Sequence, residues 1–198
     1  MDKVEAKEAI RKRKCVKKFL NKPVSMKIIL EMLDCGRWAQ TALGAQSWEF
    51  IIVKDVKAKS RLAESAGQEW ISSAPVVIVV CTNMERIEFT LKRPPWDFAV
   101  MEVSAAVQNI QIAARSLGMG TCAAFMFDRD AVGKILKTPE KVIPLAIVPL
   151  GYPKEFPENS RGSLQDFMHE EEFGQPVDEV PAKYNKKWRR SPLIHLFS

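Results

Sequence analysis

Apolar positions recur at helical spacing at the start of the chain, tighten into short continuous runs, and then return to helical spacing in one long stretch. Ala6, Ala9 and Ile10 share one side of a helix expected over Val4 to about Lys12. Ser25 suits an N-cap, and Ile28, Ile29, Met32 and Leu33 follow at helical spacing until Gly36. A loop with no periodicity, Ala39 to Ser47, runs into Trp48–Val53, a strand by its aromatic and β-branched content. Asp55 then caps a helix through Leu62 and Ala66 that Gly67 stops. The unbroken run Pro75–Cys81 reads as a strand covered on both faces.

Residues 82 to 96 predict no regular element, since Arg93-Pro-Pro-Trp96 interrupts any helix. From about Asp97 to Leu117 the apolar positions are too broad for one stripe, so this helix is expected to be central or to face another subunit. Gly118-Met-Gly120 ends it and leads to a strand over Thr121–Phe127; Asp128 or Asp130 opens a short helix, and Leu145–Leu150 is the last strand. Two helices followed by alternating strands and helices predict an α/β or α+β sandwich. Beyond Glu155 an extended arm is expected, and its Leu193, Ile194, Leu196 and Phe197 predict docking on this subunit or a partner.

Composition narrows the classes of function without choosing among them. The 198 residues are 46% hydrophobic and carry 30 Lys+Arg against 24 Asp+Glu, a formal charge of +6. That balance suits anionic ligands. Four separated cysteines with no CxxC suggest neither a disulfide framework nor a zinc knuckle but reduced thiols in a cytoplasm. Neither a secretory leader nor a membrane span is expected. The two histidines, His169 and His195, leave little material for zinc sites or His-dependent triads, so no metal is expected.

Charge is concentrated near the start. Arg11, Lys12, Arg13, Lys14, Lys17, Lys18 and Lys22 occupy a window without an acid, and Ile10, Cys15, Val16, Phe19, Leu20 and Val24 thread through them. Interleaved apolar residues imply a segment pinned on a core, and pinned cations can fix a phosphate. A merely solvated basic face is the plain alternative. Gly118-Met-Gly-Thr-Cys-Ala123 matches a dinucleotide fingerprint only superficially, because a helix precedes it where a strand is required.

Taken in order, several pieces resemble the FMN-dependent nitroreductase family. They are Arg13-Lys-Cys-Val-Lys-Lys-Phe19, Gln40-Thr-Ala-Leu-Gly-Ala-Gln-Ser-Trp48, Gln108-Asn109, Leu117-Gly-Met-Gly-Thr-Cys122 and Leu150-Gly-Tyr-Pro153. The resemblance implies an α+β fold: a three-layer α-β-α sandwich with a mixed central sheet flanked by helices, over residues 1–155. A C-terminal arm, 156–198, would dock on the partner subunit. It further implies a homodimer with FMN at the subunit interface, and hydride supplied by NADH or NADPH to a ping-pong reduction of a small-molecule acceptor such as a nitroaromatic or quinone.

Carried onto this chain, the family's cofactor contacts fall on Arg13, Lys14 and Cys15 at the phosphate and on Lys17 at the pyrimidine end of the ring. Gln40, Thr41, Gly44 and Gln46 would cover the flavin, Cys122, Ala123 and Ala124 would lie against the ring, Gln68 would stand at its edge, and Arg161 would return to the phosphate. No side chain is expected to act as acid or base, since the chemistry belongs to the flavin. Cys15 replaces the family's serine, lysines at 14 and 17 replace arginines, and Gly44 replaces its asparagine. A flavin- or nucleotide-phosphate-binding protein without turnover, and a basic nucleic-acid binder, stay open as other readings.

Overall fold

A computed structural model describes residues 5–91, 96–158, 161–178 and 180–184. The chain divides into two compact units, Met1–Pro157 and Glu158–Ser198. The first is an α+β sandwich. Its sheet has the strand order β1-β2-β4-β3, formed by Trp48–Val53 (β1), Val76–Asn83 (β2), Val142–Gly151 (β4) and Gly120–Thr121 (β3). Every pairing of these strands is antiparallel, and the parallel contribution is a bridge from Cys15 to Thr121 at the β3 edge.

Alternation along β2 explains the layers. Val76, Ile78 and Val80 belong to a core with Ile29 and Met32 of α2 (Met26–Gly36) and Val103, Ala106, Val107 and Ile110 of α5 (Trp96–Ser116). Val77, Val79 and Cys81 face the other way, onto Leu62 and Ala63 of α3 (Val56–Ser65) and Val132 of α6 (Arg129–Leu136). All but Asn83 of β2 are buried, as its unbroken apolar run requires. Full burial of such side chains supplies roughly 1.5–3 kcal/mol each.

Capping follows the sequence closely. Ser25 Oγ accepts from Ile28 N, Asp55 from Ala58 N and Asp128 from Ala131 N, each satisfying an orphan donor of the first turn. The N-terminal helix, Ala6–Lys12 (α1), buries Ala9 but leaves Ile10 53% exposed.

Three expectations are corrected. Residues 84–91, expected to be irregular, form α4 (Met84–Leu91), which buries Met84 and Ile87 three positions apart. The strand expected over Thr121–Phe127 is confined to Gly120–Thr121, with an isolated bridge from Ala124 to Ile147; Phe125 and Met126 face outward. The last strand starts earlier than expected and tolerates Pro144 because the ladder slips there, Cys81 pairing with Pro144 but Val80 with Ala146.

The second unit contains one-turn helices at Leu164–Phe167 and Ala182–Tyr184, with the His169 and Phe173 rings 4.3 Å apart. Leu193, Ile194, Leu196 and Phe197, and Arg93 to Pro95, lie outside the described residues.

Candidate functional site

The basic stretch leaves α1 at Arg13 and runs extended along the β3 edge. Val16 N donates to Thr121 O at 3.0 Å, Leu20 N to Tyr152 O at 2.8 Å, and Lys154 N to Lys18 O at 3.0 Å. Val16, Phe19 and Val24 are buried and pin the segment, whereas Ile10, Cys15 and Leu20, expected to be buried with them, are exposed. The approach is close enough to need glycine: a Cβ on Gly120 would lie 2.8 Å from Val16 Cβ.

Pinning sorts the cations. Lys12 pairs with Glu8, Lys18 with Glu155 at 3.5 Å, and Lys22 lies 4.2 Å from the centre of the Tyr152 ring. Arg13 and Lys17 face a sulfur and an indole instead: Arg13 lies close enough to Cys15 to favour its thiolate, and Lys17 Nζ is 5.1 Å from the centre of the Trp70 ring. Trp70 Nε1 in turn donates to Gln68 Oε1 at 3.0 Å. Arg13, Cys15, Lys17, Gln68 and Cys122 therefore fall in one neighbourhood.

Cys15 and Cys122, far apart in sequence, are brought together by the Cys15–Thr121 bridge, close enough for each thiol to shift the other. Cys122, reinforced by Arg13 and Lys17, holds the Cys15 thiol down at about 6, outweighing the opposing effect of burial. Cys122 is pushed up, first by Cys15 and then by burial. These surroundings favour the Cys15 thiolate relative to a free cysteine. The neighbourhood thus stabilises negative charge with its own atoms.

The Gln40–Gln46 loop is elsewhere. Leu43 (φ 50), Gly44 (φ 79) and Gln46 (φ 48) all take left-handed backbone, which costs non-glycine residues about 1 kcal/mol or more. Glu102 offsets that cost. Its carboxylate, 2% exposed on α5, accepts from Ala42 N at 2.7 Å and from Ser47 N and Oγ at 2.8 and 2.7 Å. Arg86 closes the far end, donating to Gln46 O at 2.7 Å and pairing with Glu49 at 2.6 Å. A cavity of about 130 Å³ remains between Gln40, Thr41, Ala42, Phe98, Met101 and Glu102.

The two groups lie at opposite corners of the sheet. The loop feeds β1 where Trp48 pairs with Thr82, whereas Thr121 beside Cys15 pairs with Leu150, which pairs with Val76. Strand geometry makes that roughly 20 Å along the strands and roughly 14 Å across them. The rise of α5 from Glu102 to its C-terminal end at Ser116 gives about 21 Å independently. Ala123 and Ala124 follow Cys122 on the basic side; Lys14 has a contact of its own, and Arg161 is an exposed residue of the second unit.

Sequence reasoning missed Glu102, Arg86 and Trp70. Glu102 had a signal, a lone acid among the apolar positions 99, 103, 106 and 110 of one helix face. Asn109, noted only for its resemblance, ties α5 to α2 by donating to Cys35 O at 3.3 Å. Among the described residues no group of three His, Cys, Asp or Glu side chains can hold a metal ion, and no helix is long and apolar enough to cross a membrane.

Comparison with known proteins adds the following. A family model described as the nitroreductase family matches residues 10–74 and 64–152. A protein of Methanothermobacter thermautotrophicus with the provisional name NADH dehydrogenase/NAD(P)H nitroreductase is 32% identical over 162 residues, covering 79% of this chain and 82% of that protein. The FMN reductase (NAD(P)H) of Bacillus subtilis is 22% identical over 92% of this chain and 84% of its own. A crystal structure from Parabacteroides distasonis, under the same provisional name as the first, superposes with a TM-score of 0.74 at 30% identity, covering 85% of this chain and 98% of that one.

Proposed function

Since the chain belongs to the nitroreductase family, we propose that it is an oxidoreductase that uses FMN to pass electrons from NADH or NADPH to a small-molecule acceptor, such as a nitroaromatic or quinone, in alternating half-reactions. The observation that carries the reading is the gathering of Arg13, Lys17, Gln68 and the Gly120–Cys122 turn at one edge of the sheet, where the resemblance puts the flavin phosphate and ring. Relatives named NAD(P)H nitroreductase and FMN reductase support the donor and the cofactor.

The donor set fits the group. Arg13 and Lys14 supply charge for a phosphate. Lys17, steadied by Trp70 and Gln68, directs a cation toward the pyrimidine end of the ring. Cys122, Ala123 and Ala124 offer a small, closely approachable surface to the ring, and Arg161 would return from the second unit to the phosphate. Bound FMN supplies the redox chemistry itself, accepting two electrons from the nicotinamide and yielding them to the acceptor. The loop residues Gln40, Thr41, Gly44 and Gln46 cover the ring and exclude water.

One copy presents only one of the two groups to a given ring. The reading therefore requires a homodimer in which the loop of one copy meets the basic cluster of the other. Leu43, 82% exposed at the loop tip, and Met101, 54% exposed beside it, are the apolar surface such a partner would cover. The C-terminal unit is proposed to dock on that partner, and the compartment is proposed to be cytoplasmic. A nucleic-acid role finds less support, because Lys12, Lys18 and Lys22 are engaged by Glu8, Glu155 and Tyr152.

Titration with FMN followed by anaerobic addition of NADH or NADPH tests the reading. A yellow protein that bleaches with either donor and recolours with a quinone is expected; a yellow protein that neither donor bleaches is a passive binder.

A further inference from the structure

The cysteine pair stands out in a search of the molecule because it lies in the proposed cofactor site, yet neither thiol has a redox part in the proposed reaction. Cys15 is exposed and Cys122 is 4% exposed. Their backbones are brought together by the Cys15–Thr121 bridge and the Val16–Thr121 hydrogen bond. Each thiol acts on the ionisation of the other, and Arg13 and Lys17 are near enough to act on both. Cys35 and Cys81 have none of this: burial and nearby carboxylates raise both thiols, Cys81 to about 12.

We propose that Cys15 and Cys122 form a peroxide-oxidisable dithiol, in which hydrogen peroxide attacked at Cys15 yields a reversible intramolecular disulfide. Cys15 sulfur attacks one peroxide oxygen, the O–O bond breaks, and the released hydroxide takes a proton to leave as water, giving a sulfenic acid at Cys15. The Cys122 thiol loses its proton and attacks the Cys15 sulfur; the S–S bond forms and the hydroxyl departs as a second water. Two thiols lose two electrons and two protons, and peroxide gains them.

The second step is built in. Cys122 keeps its proton chiefly because of the neighbouring Cys15 anion. Once Cys15 is a neutral sulfenic acid that hold disappears, while Arg13 and Lys17 still favour the Cys122 anion. The inference needs no flavin and stands or falls separately from the proposed function.

The full chain as purified, reduced and then treated with hydrogen peroxide under denaturant-free conditions, tests it by intact mass and peptide mapping. The expected result is a loss of two hydrogens mapped to a Cys15–Cys122 linkage and reversed by dithiothreitol. Cys122→Ser should instead stop at an oxygen adduct on Cys15, and Cys15→Ser should react at least about tenfold more slowly. Wild-type protein that accumulates sulfinic or sulfonic acid on Cys15 with Cys122 still a free thiol would overturn the proposal, as would equal rates for wild type and Cys15→Ser.

Discussion

At the C-terminal end of α5 the chain gathers Arg13, Cys15, Lys17 and Cys122 by laying one backbone against another. At the other end of the same helix the Gln40–Gln46 loop hangs chiefly on one carboxylate, that of Glu102, with Arg86 closing its far end. The basic half has little left-handed backbone to restrain and needs glycine at 120 so that two segments can touch. The loop half has three left-handed positions within four residues and compensates with buried, charged hydrogen bonds. A backbone-built half tolerates change in its side chains and so can accept Cys and Lys where the family has Ser and Arg. A carboxylate-built half concentrates its stability in one residue, which leaves the loop's own residues free to vary.

Replacing Glu102 strikes the loop half where it is least redundant. Glu102→Ala strips acceptors from three donors at once, and at about 1.5–3 kcal/mol for each bond to a charged group, partly relieved by water entry, the expected loss is roughly 3–5 kcal/mol. Urea unfolding measures it; a loss under about 1 kcal/mol would mean the loop is held by something else. The corresponding blow to the basic half is Gly120→Ala, which forces a methyl into Val16. About 2 kcal/mol of overpacking is expected, together with slower alkylation of Cys15 near neutral pH as the segment lifts from Thr121. A variant of wild-type stability and thiol reactivity would break the contrast.

The smallest effect is in pH. Cys15, held down to about 6, is an anion above that pH and repels a phosphate; below it the thiol is neutral and the repulsion vanishes. Cys15→Ser lacks the ionisation. The ratio of FMN dissociation constants, wild type over Cys15→Ser, should therefore rise from near unity at pH 5 to about tenfold at pH 8, a difference of about 1.4 kcal/mol. A ratio independent of pH would place the phosphate away from Cys15.

Much of this layering was legible from spacing alone. The run Pro75–Cys81 and the caps Ser25 and Asp55 act locally, through burial and the first turn, so the sequence near them was sufficient. Helix α4 was obscured by the Arg93-Pro-Pro-Trp96 signal just beyond it, which made the whole segment read as irregular. Thr121–Phe127 has the composition of a strand but finds only a short partner at Gly151 and Leu150, and pairing is not written in composition. The basic cluster was read correctly as pinned, yet the meeting of Cys15 with Cys122 depends on a contact across more than half the chain. Glu102 was visible as an interruption of an apolar face, although not as the anchor of a loop.

The central claim is that each flavin needs the basic cluster of one copy and the loop of another. Mixing two defective chains tests it directly: Arg13→Ala/Lys17→Ala, which lacks the basic half, and Thr41→Trp, which fills the cavity beneath the loop. Each alone should stay colourless in FMN. After exchange of subunits, each mixed dimer should carry one site with both defects and one with neither, so the mixture should turn yellow and be bleached by NADH or NADPH. A mixture that binds no more FMN than its parents, although mixed dimers have formed, would contradict the account.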